Sequence, residues 1–306
     1  LDQSPGRFER AERCPACAGP SLRPWKKGNF DVTRLDKDQI KITDSEYGKI
    51  WDLSACEDCG HIFADPYPKP EFIFSLYRQV EDPAYDAEAA GRARNFRGIL
   101  DNLDALVPER GTLFDVGAAT GILLDLARGR GWTPDGIEAS TWAVEFARRT
   151  RGLPLRQGFF EEARTEPASC RAVTMVDFIE HTPKPREAVA RAYDILAPGG
   201  VLCLVTPDIH SLSARLAGKR WWHLRPGHLA YFSEKSLATL LEGAGFTIVR
   251  RRRYAWTFSA HYLLTRIGAF RPLVRGRRAA LFFKRIPIKL ALGDSFEIYA
   301  RKDPRT

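Results

Sequence analysis

Four of the six cysteines fall in two C-x-x-C pairs, Cys14 with Cys17 and Cys56 with Cys59. Each pair closes a knuckle that aims two thiolates at one ion. Two knuckles complete a tetrahedral shell, and four thiolates with no open position specify a structural zinc ion rather than a catalytic one. The 38 residues between the pairs exceed the usual spacer, but Lys41–Thr43 and Lys49–Leu53 alternate like strands, so the stretch is expected to form a β-ribbon. The start of the chain shows no secretory pattern, which disfavours disulfides. Of the two remaining cysteines, Cys203 reads as a small core residue.

A second constellation is Phe114-Asp115-Val116-Gly117-Ala118-Ala119-Thr120-Gly121. Glycines at this spacing let backbone approach a ligand without a Cβ in the way, and a strand-to-helix turn offers free N–H groups there. The spacing is G-x-x-x-G, not the G-x-G-x-x-G of dinucleotide sites. Glu138 follows 23 positions after Asp115, at the end of the next strand, where a carboxylate can accept both hydroxyls of a ribose.

A third group, Asp177-Phe178-Ile179-Glu180-His181, follows an apolar run. A histidine of near-neutral pKa suits removal of a hydroxyl or α-carbon proton; the bland alternative is that Glu180 and His181 cap the next loop. His223, His228 and Tyr231 form a further polar set, from which His228 or Tyr231 would take over if His181 is not the base. Trp221 and Trp222 beside them suit either stacking on a ring or the core.

The elements that must position these groups are legible. Thr112–Val116, Trp132–Ile137, Ala172–Val176, Val201–Thr206, Phe246–Val249 and Ser295–Ala300 read as strands. Helices follow from Ile122, over Arg186–Leu196 up to the stop Ala197-Pro198-Gly199-Gly200, and over Glu234–Glu242 with Ser233 as N-cap. Glu71–Leu106 is mostly helical and broken by Pro83, and Pro66–Pro70 reads as a hinge before it.

With 306 residues and 44% apolar content, the chain can bury one full domain plus a smaller one. No run reaches the roughly 18 apolar residues of a membrane span. The net charge of +9 is uneven: from Phe246 onward there are 15 Arg or Lys against 3 Asp or Glu, an excess of +12 that leaves the rest at −3. A basic surface of that size favours an anionic partner. Residues 257–293 mix arginines with Phe258, Tyr262, Ile267, Phe282 and Ile286, which suits a substrate lid or a surface that rests on a membrane.

Glycine turn, acid after the second strand, aspartate after the fourth and Pro-Gly-Gly before the fifth occur in order over Gly111–Arg253. In this the chain resembles the class I S-adenosylmethionine-dependent methyltransferases, especially the branch of the ubiquinone-biosynthesis O-methyltransferases. From Cys14 to Tyr85, with Gly60–Pro68 as the ribbon's exit, it resembles the zinc-ribbon methyltransferases. The resemblance implies an α/β, Rossmann-like, doubly wound seven-stranded methyltransferase sheet preceded by a zinc ribbon. Its parts would be a ribbon over 1–68, a helical linker or lid over 69–110, and the catalytic domain over 111–306 with a basic insertion at 257–293.

Carried over residue by residue, Gly117–Gly121 would pass beneath the methionine part of the cofactor and Glu138 would hold the ribose. Ala139 and Ser140 would flank the adenosine, and Asp177 with Phe178 would line the floor. The family's acid after strand three is replaced by Gly158-Phe159-Phe160-Glu161, so a phenylalanine, Phe159 or Phe160, is expected to stack on the adenine in its place, with Glu161 as a candidate polar contact. Asp177, Glu180 and His181 match an acid-x-x-Glu-His run that lines the acceptor site and can hold a divalent ion. Tyr77 and Tyr85 suit contact with the methionine end, or core packing.

The expected activity is methyl transfer to oxygen or carbon of a small anionic or glycan-like molecule: a sugar nucleotide, glycan or natural-product intermediate. The competing reading is an RNA methyltransferase using the ribbon and basic tail. Asp177-Phe178-Ile179-Glu180 in place of an Asn-Pro-Pro-Tyr type run, and the lack of a Pro-Cys near strands four and five, disfavour nucleic acid. A non-enzymatic scaffold is the third reading. A cytoplasmic protein, peripheral at the membrane through 257–293, is the expected location.

Overall fold

The computed structural model describes residues 6–44 and 46–303. The N-terminal part contains β1 (Phe8–Glu9), β2 (Leu22–Lys26), β3 (Leu53–Cys56), β4 (Ile62–Ala64) and β5 (Tyr67–Pro68). The expected strands at Lys41–Thr43 and Lys49–Asp52 do not form; only Leu53 joins β3. Their backbone groups are satisfied elsewhere. The carbonyls of Lys41 and Ile42 accept from Arg225, that of Thr43 accepts from Arg266, and the Thr43 N–H donates to Asp82. Nor is Pro66–Pro70 a free hinge, because Tyr67 and Pro68 pair with Glu9 and Phe8.

Three helices follow: α1 (Pro70–Arg78), α2 (Pro83–Ala87) and α3 (Ala89–Leu106). Pro83 starts α2 from its first turn, where its missing N–H costs nothing. The catalytic sheet then builds as β6 (Thr112–Val116), α4 (Ile122–Arg128), β7 (Thr133–Glu138), α5 (Thr141–Arg151), β8 (Arg156–Gln157), β9 (Cys170–Val176), α6 (Pro185–Ile195) and β10 (Leu196–Pro207). Gly199-Gly200 do not sit outside the strand as expected. β10 starts at Leu196 with a register irregularity before Val201. After α7 (Leu212–Ala217) come β11 (Ala230–Tyr231), α8 (Glu234–Gly243), β12 (Phe246–Arg253), β13 (Trp256–Ser259), α9 (Ala260–Arg266), α10 (Arg277–Lys284), β14 (Pro287–Leu290) and β15 (Ser295–Lys302).

The seven-stranded sheet has the order β12-β15-β10-β9-β6-β7-β8, with β15 antiparallel to both neighbours and the others parallel. From β6 the chain winds outward through β7 and β8, then returns to the other side as β9. A ligand crevice therefore opens beyond the carboxyl ends of β6, β7 and β9. The expectation of a separate ribbon changes in one respect: its sheet runs β11-β4-β3-β2, so a strand from the catalytic part completes it. Cys14, Cys56 and Cys59 pack in the same apolar cluster as Phe232 and Leu237, and Trp51 Nε1 donates to the Pro226 carbonyl at 2.8 Å.

Candidate active site

Asp115, Val116 and Gly117 bring the chain to the crevice. Gly117 has φ +71°, and a Cβ there would lie 3.2 Å from the Phe178 ring. Gly121 is needed for another reason: with φ +77°, its Cβ would stand 2.5 Å from the Leu153 side chain, so it lets α4 pack closely. Ala119 also adopts a positive φ, 46°, which turns its N–H toward Glu138. One Glu138 oxygen accepts from Ala119 N–H at 2.8 Å and the other from Ser140 N–H at 2.8 Å. The carboxylate is thus fixed in orientation, with lone pairs left on both oxygens. Enclosure raises its pKa, and these backbone bonds oppose the rise.

Gly117, Ala119, Thr120, Glu138, Ala139 and Ser140 all line the crevice cavity, as do Phe159, Phe160, Asp177 and Phe178. Asp115, Ala118 and Gly121 are absent from that lining. Asp115 instead points into the sheet, where it accepts a 2.6 Å bond from Thr174 Oγ1. Burial pushes its pKa up to about 7. The expected aromatic face is built differently: Phe159 stacks on Phe74 of α1, centroids 3.7 Å apart and 8° from parallel. Phe160 is buried against Phe114. Ile40, Ile42, Tyr77 and Tyr85 complete the wall from the N-terminal part and the helices.

A second cavity shares Ile42, Asp177 and His181 with the first. The Tyr77 hydroxyl and His181 Nδ1 are 3.0 Å apart, and the His181 ring meets His228 edge-on at 4.7 Å. His223 stacks on His228 and bonds Asp294 at 3.2 Å. Glu180 is fully buried and accepts from Thr206 Oγ1 at 3.0 Å; its Oε1 has no partner among the described residues. Its backbone carbonyl takes the N–H groups of Leu229 and Ala230, so Glu180 also anchors the His228 loop. Ligand atoms of Glu180, His181 and His228 lie within 4.8 Å of one another, a grouping that leaves out Asp177.

The near-neutral His181 is not what this environment gives. Burial, and then the Arg225 charge, push its pKa down to about 3, so it is a neutral imidazole at physiological pH. Asp177, held at φ 51°, is pushed up to about 6 by burial. It is the stronger base facing both cavities. Tyr231 is buried and lines neither cavity, whereas Trp222 lines the second one and Trp221 is core.

A family profile described as a methyltransferase domain matches residues 89–251. The chain belongs to this methyltransferase family. A ubiquinone-biosynthesis O-methyltransferase of Paracidovorax citrulli is 32% identical over 106 residues; the match covers 32% of this chain and 44% of that relative, less than half its length. Among solved structures, an S-adenosylmethionine-dependent methyltransferase from Archaeoglobus fulgidus superposes with a TM-score of 0.50 at 17% identity, over 72% of this chain and 100% of the other. A methyltransferase in complex with the Haloferax volcanii Trm112 activator gives 0.51 at 15% identity, over 74% and 97%. These two likenesses establish the fold.

Against that background, several residues of this methyltransferase stand out that the motifs did not indicate. Arg92, Arg225 and Arg266 line the second cavity with Trp256, Phe258 and Tyr262. Arg225 and Arg266 are tied to the 41–43 carbonyls, but Arg92 is 6% exposed and has no carboxylate partner among the described residues. Its Nε donates to Tyr85 O, and its guanidinium lies 3.6 Å from the Tyr85 ring centroid. The signal was present in the sequence: Arg92 lies four before Phe96 on the buried stripe Phe96, Ile99, Leu100, Leu103 of α3.

Outside the crevice, the four paired cysteines come together. Cys14 and Cys59 Sγ are 3.7 Å apart, and those of Cys17 and Cys56 are 3.6 Å apart. All four lie within 4.8 Å of one another. A tetrahedral ZnS₄ centre with bonds of about 2.3 Å has edges of about 3.8 Å, so the thiols are spaced as that ion requires.

Proposed function

We propose that the chain catalyses transfer of the S-adenosylmethionine methyl group to an oxygen or carbon of a small anionic acceptor. A sugar nucleotide, a glycan or a natural-product intermediate bearing phosphate or carboxylate fits this class. The observation that carries the reading is Arg92, a buried cation with no carboxylate in ion-pair contact among the described residues, facing a cavity that adjoins the cofactor crevice through Asp177 and His181. Asp177 on the same cavity compensates that charge only from beyond ion-pair distance, and an incoming anion would supply the close partner that Arg92 lacks.

Glu138 would hold the ribose, Gly117 and Ala119 the amino-acid end, and Phe159 the base. The cofactor supplies an electrophilic methyl group. The protein's own contribution is alignment, exclusion of water and the handling of one proton. Asp177 accepts that proton more readily than His181, and Tyr77 holds the imidazole in place. Cys14, Cys17, Cys56 and Cys59 would bind one structural zinc, pinning the N-terminal part whose Ile40 and Ile42 wall the crevice.

Of the basic tail that suggested RNA, the run Arg250–Arg253 is engaged within the protein: Arg250 and Arg252 donate to Asn102, Arg251 to Glu234 and Arg253 to Asp208. The test is turnover of methyl-labelled cofactor against phosphate- or carboxylate-bearing small molecules, their neutral analogues and tRNA. Label in the anionic compounds, lost with Arg92→Met, is expected. Label in tRNA alone, or equal labelling of neutral analogues, would overturn the proposal.

A further inference from the structure

Between β12 and β15 the chain leaves the sheet and returns through β13, α9, a 3₁₀ turn over Gly268–Val274, α10 and β14. From Ala260 to Gly293 there is not one Asp or Glu, while eight positions are Arg or Lys. Arg275, Arg277, Arg278, Lys284, Arg285 and Lys289 are exposed, and among the described residues they form no ion pair or side-chain hydrogen bond.

The same segment exposes large apolar side chains: Phe270 at 44%, Leu273 at 58%, Leu281 at 54% and Phe282 at 62%. α10 has no buried residue. Helical spacing sets Arg277 beside Leu281 and Arg285, and Arg278 beside Phe282, so cations and apolar tips share one outer face. An RNA surface could use the phenylalanines for stacking, but Leu273, Leu281 and Ile286 have no ring to stack. Aliphatic tips among unpaired cations match a layer with anionic headgroups over acyl chains.

We propose that residues 267–289 dock this protein on an anionic lipid bilayer. No helix among the described residues is long and apolar enough to cross a membrane, so the contact is peripheral. Tyr262, Leu263, Leu290 and Leu292, which flank the docking face in sequence, wall the second cavity. Docking would then open the acceptor cavity near the bilayer, a corollary that rests on the proposed function, whereas docking itself does not.

The test is co-sedimentation of the whole chain with phosphatidylcholine vesicles, with and without phosphatidylglycerol. Binding only to the anionic vesicles, weakening with salt, is expected. Each basic side chain near such a surface strengthens partitioning about five-fold, so Arg277→Glu with Arg278→Glu should weaken binding about 30-fold or more. Leu281→Ser with Phe282→Ser should weaken it independently of salt, while the exposed Arg149→Glu on α5 should not. Calorimetric affinity for S-adenosylhomocysteine, unchanged in these variants, shows that folding and the crevice are intact. Absence of vesicle binding, unaltered binding by the 277/278 variant, or binding to tRNA without binding to vesicles would overturn the proposal.

Discussion

Replacing Glu138 by alanine removes the one side chain whose two oxygens are both fixed by backbone donors at 2.8 Å. Each oxygen keeps a lone pair for a ligand hydroxyl, so the cofactor would lose two hydrogen bonds to an ionised acceptor. Bonds to charged groups contribute about 1.5–3 kcal/mol. The two are made to one carboxylate and compete with water in the free protein, so the pair together is set at about 1.5–3 kcal/mol, a 10- to 150-fold rise in Kd. Glu138→Gln keeps one acceptor oxygen and should fall between the two. Calorimetry with S-adenosylmethionine and S-adenosylhomocysteine measures both, with far-UV circular dichroism checking the fold. Unchanged affinity in a folded Glu138→Ala variant would mean that the ribose lies elsewhere and that the crevice assignment is wrong.

Further expectations concern proton transfer, the metal and the core. The pKa of Asp177 is raised to about 6, so it loses its base form as pH falls; the rate should rise with pH through about 6, and Asp177→Asn should cost about 10²–10⁴-fold. His181→Ala should leave that pH limb in place, because the imidazole is already neutral there. Elemental analysis should find close to one zinc per chain, and Cys56→Ser should weaken cofactor binding as well as the ribbon, since both share one packed cluster. The Asp115 pKa is raised from 3.8 to about 7, so the folded state keeps a proton that the unfolded chain has lost. Stability should therefore fall as pH rises between those values, by up to about 1.4 kcal/mol per unit, and Asp115→Asn should flatten this in thermal melts across pH.

The sheet was legible because its strands are buried on both faces and read as mostly apolar runs, each of Leu113–Val116 and Ala172–Val176 broken by a single polar residue, Asp115 and Thr174, which bond one another. Lys41–Thr43 misled because alternation marks a half-buried segment, not its hydrogen-bond partners. Here guanidinium groups from Arg225 and Arg266 replace a neighbouring strand. Asp115 was misplaced for a related reason: its position before a glycine turn is shared with ligand-binding acids, but alternation along β6 turns it inward to Thr174. The arginines of the second cavity come from α3, the loop before β11 and α9, which only the tertiary fold brings together. The histidine pKa depends on burial, which no local pattern encodes.

The most direct test is a crystal structure of the protein with S-adenosylhomocysteine. The account predicts the ribose hydroxyls on Glu138, the adenine against Phe159, and the sulfur beside Asp177 and His181, facing the cavity of Arg92. A nucleoside bound outside this crevice, or a sulfur pointing away from that cavity, would contradict it.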